Sequence, residues 1–587
     1  MSTPISGAAS RNCILALALG IRKNAPVRLI TDDTRLPHAV RPHEKLGAGI
    51  AVKVDCYPIS LLPRQSRLFL DFTSSHEALT PFFVATPWSQ EWAAAAPAQD
   101  AAHRKALADL LLEQNRAWLP EAGAEKTLAN IERLRAGAGA VVTGQQVALF
   151  TGPLFTLLKA ATIVRRAQDA NAVPVFWLAT EDHDLAEADH VTLPARHALH
   201  TLRLHPESTP DAQPVGGLKL GPDIAQVLDR AAELIGGTPE FDLLAAAYTP
   251  EATFTSAFAR FLAATFAEYG LVVVDASTRG FHALGAPVLR QAIERAEELE
   301  AALHDRDKLL AERGYHSQVL VAPASSLLFL IDETTGARLP LRRKNGTWFT
   351  SHNAAKVQYS ADDLLAILET APERLSPNAL LRPVFQDFLL PTQAIVGGPA
   401  EIAYYAQNQV LYQAILGRTT PVLPRLSATL IEPSIAKILE QYQLTLEDML
   451  TAHPDELAQR LGARSLPIEG KRRLSAAGNA LDDELGALLA WAESLSPDLA
   501  RAAGVSASKM RYQMNRLRRL AANYQLQRES SIRRHVDTLS FNLFPDRHAQ
   551  ERVIGGIAYL ARYGAPLLAA LVEHAGQDCP GHKAIWL

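Results

Sequence analysis

The chain has 587 residues, of which 48% are apolar, and a formal net charge of −4. A chain of this length exceeds what one hydrophobic core usually fills, so we expect two or three domains. The small net charge excludes a global basic field for nucleic acid or an anionic membrane, and any anion site must be local. No apolar run approaches the roughly 20 residues that span a bilayer. We therefore predict neither nucleic acid nor membrane as a partner.

The cysteine pattern bears on the compartment. Cys13, Cys56 and Cys579 are widely spread and form no CxxC pair. This spacing predicts neither a disulfide framework nor a thiolate zinc site. A reducing, cytoplasmic location fits it best.

Residues 1–55 lack the sustained periodicity of the rest of the chain, and we interpret them as a leader. Two interpretations of this leader stay open: it belongs to the native protein, or the start codon was assigned too far upstream. Globular patterning begins near Cys56.

After an Ala-rich helical stretch, the segment GAVVTGQQVALFTGPLFTLLKAATIVRRAQDANAVPVFWLAT predicts a strand, a Gly-containing loop, a helix and a second strand. The apolar runs AVVT and VPVFWLA are typical of strands buried on both faces of a parallel sheet. Further strands are expected at 270–276 and 392–398. Between them, short strands with an Asn345-Gly346 hairpin signal predict an antiparallel insertion. The sequence thus predicts an α/β fold with a parallel core interrupted by inserts.

The region after about residue 431 is helical and charged. Apolar residues spaced by seven, four and three predict the seam of an antiparallel helical hairpin or coiled coil. The two halves of this seam are Leu474, Leu481, Leu485, Leu488, Ala492 and Leu495, and Met510, Met514, Leu517, Ala521 and Tyr524. The seam holds more apolar surface than one helical pair hides, so we predict a homodimer built on this region. The basic residues of the second helix are interpreted as a solvated, ion-paired face, and a nucleic-acid-binding arm is the less favoured alternative.

The predicted division of the chain has eight parts. It runs 1–55 leader; 56–190 N-terminal helices and first half of the core; 191–265 first insert; 266–310 core; 311–375 second insert; 376–430 second half of the core; 431–540 helical coiled-coil domain; and 541–587 C-terminal segment returning to the core.

Two segments lead a strand into a helix through glycines, at Gly144 with Gly152-Pro153 and at Gly397-Gly398-Pro399. Each leaves backbone N–H groups at a helix N-terminus, where anions are favoured. Neither matches a known phosphate-binding pattern, so a plain tight turn stays an alternative. Other residues of these segments that could contact an anion are Thr143, Gln145, Gln146, Thr151, Lys159 and Glu401.

The stretch TEDHDLAEADH, residues 180–190, follows the apolar run VPVFWLA at the carboxyl end of a predicted strand. If a helix starts near Asp182, then His183, Glu187 and His190 fall on one face with a spacing that suits a divalent metal. Two other interpretations stay open. The carboxylates of Glu181, Asp182, Asp184 and Asp189 could bind a cation or act as general bases, or the segment could cap a helix and be solvated.

Arg382 and Arg425 each lie near a proline, in chain that is held stiff close to the sheet. An arginine fixed in this way suits bidentate capture of a carboxylate. A salt bridge between two structural elements is an equally good interpretation.

Six motifs in one order carry a resemblance to a known family. They are GQQVALFTGPLFTLLKA, PVFWLATEDHDLAEADH, SPNALLRPVFQDFLLPT, GGPAEIAYYAQ, PVLPRLS and LFPDRHAQERV. Over residues 56–587 the chain resembles the BshC family, the cysteine ligases of bacillithiol biosynthesis. The resemblance implies a Rossmann-like core with two connecting-peptide inserts and a helical coiled coil through which two chains dimerise.

The resemblance also implies the substrates, L-cysteine and glucosaminyl malate, which would be joined to give bacillithiol. Activating the cysteine carboxyl group makes ATP the expected co-substrate. Thr143, Gln145 and Gln146 would line an anion site at Gly152, with Lys159 neutralising charge. Asp182, His183 and Asp184 would hold the amino-sugar ammonium and remove its proton. Arg382 or Arg425 would take the malate carboxylates.

Two rivals from other classes remain. One is a metal-dependent amidohydrolase that uses His183, Glu187 and His190. The other is a non-catalytic coiled-coil scaffold, against which the polar groups clustered at strand ends argue.

Overall fold

The computed structural model describes residues 53–93, 96–120, 123–195, 198–206, 212–321, 325–344, 346–352, 355–576 and 578–587. Nearly all of the predicted leader lies outside these residues. The described residues divide into two compact units. The core unit runs to Ile431 and resumes with Arg547–Leu587, and the helical unit is Glu432–Asp546.

The strands of the core unit fall into four sheets. They are β1 (Lys53–Tyr57), β2 (Ala140–Gln146), β3 (Val173–Ala179), β4 (His190–Pro194), β5 (Leu199–Arg203), β6 (Val272–Asp275), β7 (Ser325–Ile331), β8 (Arg338–Lys344), β9 (Thr347–His352), β10 (Ala355–Tyr359), β11 (Leu375–Pro377), β12 (Thr392–Gly397), β13 (Val422–Pro424), β14 (Ala428–Ile431) and β15 (His582–Trp586).

Helices cover both faces of the core and make up the helical unit. In the first part of the core they are α1 (Arg67–Thr73), α2 (Ala101–Trp118), α3 (Glu125–Arg135), α4 (Phe155–Asp169), α5 (Leu185–Ala188), α6 (Asp223–Ile235), α7 (Pro239–Ala247), α8 (Phe254–Thr265), α9 (Arg279–Glu294), α10 (Ala296–Glu312), α11 (Ala361–Thr370), α12 (Arg382–Leu389) and α13 (Pro399–Leu416). The helical unit holds α14 (Pro433–Tyr442), α15 (Leu446–Thr451), α16 (Pro454–Ser465), α17 (Ile468–Leu495), α18 (Pro497–Arg528) and α19 (Ser530–Leu543), and the core resumes with α20 (Gln550–Val553) and α21 (Gly556–His574).

The central sheet has the order β13-β12-β2-β3-β6, and all of its strand pairs are parallel. All seven residues of β3 are buried. They alternate between two hydrophobic clusters, with Phe176 in one and Val175 and Trp177 in the other. Burial on both faces explains the continuous apolar runs, and it confirms the predicted parallel core with its strand–helix–strand unit.

Two antiparallel elements interrupt the parallel core. A five-stranded sheet has the order β10-β9-β8-β7-β11, and a two-stranded hairpin pairs β4 with β5. In the larger sheet Lys344 lies opposite Thr347, the register of the hairpin that the sequence predicts.

The third sheet, β1-β15-β14, joins the two ends of the described chain and corrects the expectation about cysteines. Because β1 pairs antiparallel with β15, Cys56 comes within a Cα–Cα distance of 6.0 Å of Cys579, and the two form a disulfide across 523 residues. The sequence spacing did not predict this pairing, since only the return of β15 to β1 brings the two cysteines together.

In the helical unit, α17 and α18 form the predicted antiparallel hairpin. Arg511 bonds Asp482, and Arg518 bonds the carbonyl of Leu474, so the residue numbers run in opposite directions along the pair. Leu485 and Ala492 are buried in the pair, whereas other seam residues are exposed. No helix among the described residues is long and apolar enough to cross a membrane.

Candidate functional site

A cavity of about 440 Å³ opens at the carboxyl edge of the central sheet. Ligands of open α/β sheets bind at this edge. The ends of β2 and β3, the first turns of α4 and α13, and α12 contribute to its walls. The cavity brings together predicted residues from distant motifs, namely Gly144, Gln145, Gln146, Lys159, Asp182, Glu187, Arg382, Gly398, Glu401 and Arg425.

Lys159 is buried below this cavity, and its ammonium group has a full set of acceptors. Its Nζ donates to the carbonyl of Gly144 at 2.7 Å and to Oε1 of Gln145 at 3.0 Å, and it lies 2.7 Å from Oε2 of Glu401. Burial lowers the pKa of Lys159, and the Glu401 carboxylate opposes that shift. The lysine therefore ties the end of β2 to the first turn of α13, where Glu401 also accepts from the N–H of Gly398 at 2.7 Å.

The turn at Gly152, where an anion site was predicted, is held by contacts within the protein. Gly152 is buried, with φ of 68°, and its N–H donates to the carbonyl of Leu149 at 2.9 Å. The N–H of Leu154 is taken by the carbonyl of Ile554 at 2.8 Å. Since the segment that contains α20 and α21 covers this turn, the N–H groups of Gly152 and Leu154 already have protein acceptors.

Three other residues of the glycine segments lie outside the cavity wall. Thr143 is buried and donates to the carbonyl of Val396 at 2.8 Å, so it joins β2 to β12. Thr151 is buried, and its N–H donates to the hydroxyl of Tyr248. Gly397 lines a neighbouring cavity instead.

The acidic stretch does not form the predicted helix. Its only helix is the four-residue α5, which Asp184 caps by accepting from the N–H of Ala186, and His190 is the first residue of β4. His183, Glu187 and His190 therefore do not share a helical face. The part of the chain that the structure describes contains no group of three or more His, Cys, Asp or Glu residues that could hold a metal ion. The geometry on which the metal-dependent alternative rested is thus absent from these residues.

Within the same stretch, Asp182 lines the cavity and is held by two arginines. Arg382 Nη1 lies 3.1 Å from each carboxylate oxygen, and Arg338 Nη1 lies 3.6 Å from Oδ1. Burial alone would raise the pKa of Asp182, but the charges of Arg382 and Arg338 outweigh burial and lower it. Asp182 is therefore a fixed carboxylate, suited to binding a cation and poorly suited to removing a proton.

The other predicted acid/base residues face elsewhere. Glu181 is 3.5 Å from Nε2 of His282, in the interior, and does not line the cavity. His183 is exposed, with its ring centroid 6.4 Å from that of Phe329. Asp184 is exposed and serves as the cap of α5. The structure therefore gives Glu181, His183 and Asp184 no place on the cavity wall.

A second cavity, of about 300 Å³, meets the first at the start of α13. Both are lined by Pro399, Ala400, Arg425 and Arg552. Arg425 is buried and bonds Oε1 of Glu551 at 2.6 Å. Arg552 is exposed to both cavities, and no described residue forms a hydrogen bond or an ion pair with its guanidinium. Its charge is therefore available to an anion.

Sequence reasoning missed Arg552 and Arg338. Arg552 lies in LFPDRHAQERV, a motif that carried the resemblance but to which no role was given. Arg338 lies on β8, and it reaches Asp182 from the antiparallel insertion with its guanidinium 3.8 Å from the ring centroid of Phe329. Its strand carried no signal that pointed to the cavity.

The parallel sheet, its inserts and the charged cavity at the carboxyl edge define an α/β protein with a Rossmann-like core and a helical coiled coil. Residues 53–426 match the domain described as "Bacillithiol biosynthesis BshC, N-terminal Rossmann-like domain", and residues 428–585 match "Bacillithiol biosynthesis BshC, C-terminal coiled-coil domain". The chain belongs to the BshC family.

Several curated relatives are similar over nearly their whole length, and each carries the name "Putative cysteine ligase BshC". The relative from Koribacter versatilis is 40% identical over 90% of this chain and 99% of its own. Those from Solibacter usitatus and Salinibacter ruber are 35% and 32% identical, over 90% and 88% of this chain and 99% and 96% of their own.

Proposed function

We propose that this protein is a ligase that joins the carboxyl group of L-cysteine to the amine of glucosaminyl malate, with ATP activating the carboxyl group. The relatives' name supports the cysteine part. The observation that carries the chemistry is the cavity at the sheet edge, whose wall holds both fixed cations and carboxylates. An acyl transfer to an amine needs both, because the activated group and its leaving group are anionic while the incoming amine is cationic at neutral pH.

The arginines that line the cavity, Arg382, Arg425 and Arg552, would bind the phosphate or carboxylate groups of the substrates. Arg552 supports this proposal best, because no described residue pairs with it and it faces both cavities. Charge-assisted hydrogen bonds from a guanidinium to phosphate or carboxylate are strong and directional. Arg382 and Arg425 already hold Asp182 and Glu551, so their contribution to an anion would be shared with those carboxylates.

The carboxylate of Asp182 on the cavity wall would bind the ammonium group of the amino sugar. Asp182 is ionised and fixed by two arginines, so it can accept hydrogen bonds from a cation without moving. We propose a cytoplasmic location because the reaction consumes ATP and free cysteine, and not from the cysteine pattern, since Cys56 and Cys579 form a disulfide.

The decisive experiment incubates the purified protein with L-cysteine, glucosaminyl malate and ATP. We expect a product whose mass equals that of the two joined substrates less one water. Product formation should require ATP and should be accompanied by AMP or ADP. If the substrates remain unchanged while the protein is folded, the ligase proposal fails and a scaffold role becomes the better explanation.

Replacing Arg552 with glutamine should weaken binding of an anionic substrate by about tenfold or more, because a hydrogen bond to a charged group contributes about 1.5–3 kcal/mol. Calorimetric titration with ATP and with glucosaminyl malate would show which of the two depends on Arg552. The matched control is Arg230→Gln, whose exposed side chain pairs with Glu233 on the surface. Unchanged affinity of Arg552→Gln for both ligands would remove Arg552 from the site.

The helical unit is proposed to form a homodimer. Its long hairpin exposes large apolar side chains at heptad spacing, with Leu488 and Leu495 on α17 and Met510, Leu517 and Tyr524 on α18, each more than half exposed. Water-exposed apolar stripes of this kind normally pack against a second helix pair.

Light scattering at micromolar concentration should therefore give twice the chain mass. The double change Leu488→Lys and Leu517→Lys should give the mass of one chain, since it places charges in the stripe while leaving buried Leu485 intact. Lys509→Glu and Arg516→Glu make a control of equal size outside the apolar stripe. A parent protein that scatters as one chain would contradict the dimer.

A further inference from the structure

Among the described residues, three carboxylates line the cavity at the sheet edge, and two of them already form ion pairs with basic side chains. Asp182 is held by Arg382 and Arg338. Glu401 is held by Lys159 and by the N–H of Gly398. The third, Glu187 on α5, lines the cavity, is exposed, and has no hydrogen-bond or ion-pair partner for its carboxylate among the described residues.

The other charged or titratable side chains on the cavity wall cannot easily accept a proton. They are Lys159, Arg382, Arg425, Arg552, Tyr404 and Tyr405. The arginines carry no acceptor, and the ammonium of Lys159 already has three oxygen partners. Burial raises the pKa of Tyr404 and of Tyr405, so both phenols stay protonated.

We propose that Glu187 is the proton acceptor for the attacking amine. This inference rests on the proposed ligase function and names the general base for it. The bound ammonium first gives one proton to the Glu187 carboxylate, which passes it to water. The neutral amine nitrogen then attacks the activated carbonyl carbon of cysteine, and the new C–N bond forms as the bond to the phosphate-bearing leaving group breaks. The leaving group departs with the electron pair. The attacking nitrogen becomes positively charged and strongly acidic, and it releases its proton to the Glu187 carboxylate, which then passes it to water.

The placement of Glu187 supports this role. It lies five residues after Asp182 in the chain, on the wall of the same cavity. Asp182, which two arginines hold in place, would bind the amino sugar. Glu187, whose carboxylate has no partner among the described residues, would accept the proton. Because the side chain is exposed, its substitution should not disturb the fold.

The test compares Glu187→Gln and Glu187→Ala with the parent protein. We expect each change to lower kcat for glucosaminyl malate by about 10²–10⁴-fold, the range typical of a lost general base, with little change in KM. The variants should still activate cysteine. Hydroxylamine, added in place of the amino sugar, is a weakly basic amine whose attack needs little help from a base, so formation of cysteine hydroxamate should fall by less than about tenfold.

Chemical rescue distinguishes a proton acceptor from a structural residue. Sodium formate should partly restore the ligation rate of Glu187→Ala in proportion to its concentration, and it should not affect Glu187→Gln, whose side chain still fills the space. The matched control is Glu251→Gln, an exposed glutamate of the same unit that lies outside the cavity.

The possible failures can be told apart. If the parent forms no condensed product, the ligase proposal itself fails. If the parent ligates and Glu187→Gln keeps its kcat, or if hydroxamate formation falls as far as ligation, then only the assignment of Glu187 is overturned.

Discussion

Replacing Arg425 with methionine should lower the free energy of unfolding by about 3–5 kcal/mol, the usual effect of breaking a buried ion pair by removing one partner. The side chains of Arg425 and Glu551 are only 4% and 3% exposed. Burial raises the pKa of Glu551, but Arg425 outweighs burial and keeps it lowered. Without the guanidinium, a buried carboxylate must stay charged without its partner or take up a proton, and both are unfavourable.

Denaturant unfolding followed by circular dichroism would measure this loss. The control is Arg279→Met, which breaks an exposed pair with Glu373 and should change the free energy by about 0–1 kcal/mol. The double variant Arg425→Met with Glu551→Met should recover much of the stability, because it leaves no buried charge. A single variant as stable as the control would mean that water reaches Glu551 and that the pair is not sealed from solvent.

His582 should make the protein lose stability as the pH falls from about 6.5 to about 4. The imidazole is completely buried, between the hydroxyls of Ser427 and Thr429 at 2.8 Å each. Burial lowers the pKa of His582 from 6.5 to about 4, against an opposing effect of Glu551. The unfolded chain therefore binds a proton in this pH range while the folded chain does not, which favours unfolding as the pH falls. The lowered pKa of His582 should therefore reduce the free energy of unfolding by about 3 kcal/mol, and this reduction is complete near pH 4.

Unfolding free energies measured between pH 7 and pH 4 would test this dependence. His582→Gln, which keeps hydrogen-bonding groups at the same place, should flatten the curve in this range. The exposed His316→Gln should leave the slope of the parent unchanged. A His582→Gln curve as steep as that of the parent would assign the acid sensitivity to other groups.

The fold could be predicted from sequence wherever local pattern and burial agree. The run VPVFWLA predicts a doubly buried strand, and β3 is one, because each face of the central sheet is covered by its own hydrophobic cluster. The helical hairpin could also be predicted, from the seven-residue spacing of its apolar residues. The disulfide could not, because the pairing of β1 with β15 depends on contacts between opposite ends of the chain.

For the candidate site, the sequence predicted which residues lie near one another, but it did not predict which side chains contact each other. Because parallel strands end at one edge, Gly144, Gln145 and Asp182 could be expected near one another, and they line one cavity. The helix expected from Asp182 failed because residues 190–194 pair with β5 instead of extending α5. The contacts of the Gly152 turn could not be predicted for a similar reason, since the turn is covered by chain from about 400 residues later.

The position of the helical unit within the chain has a consequence for synthesis on the ribosome. The unit is inserted between β14 and the segment that supplies α20, α21 and β15. In its sheet β15 is the central strand, so β1 and β14 have no shared neighbour until β15 has been made. Because its contacts are close in sequence, the helical hairpin can fold as it leaves the ribosome. The sheet that contains β1 and β14 stays incomplete until β15 has been made. A ribosome that stops before β15 is made would therefore release a chain with a finished coiled coil and an incomplete core, the kind of species that chaperones and proteases recognise.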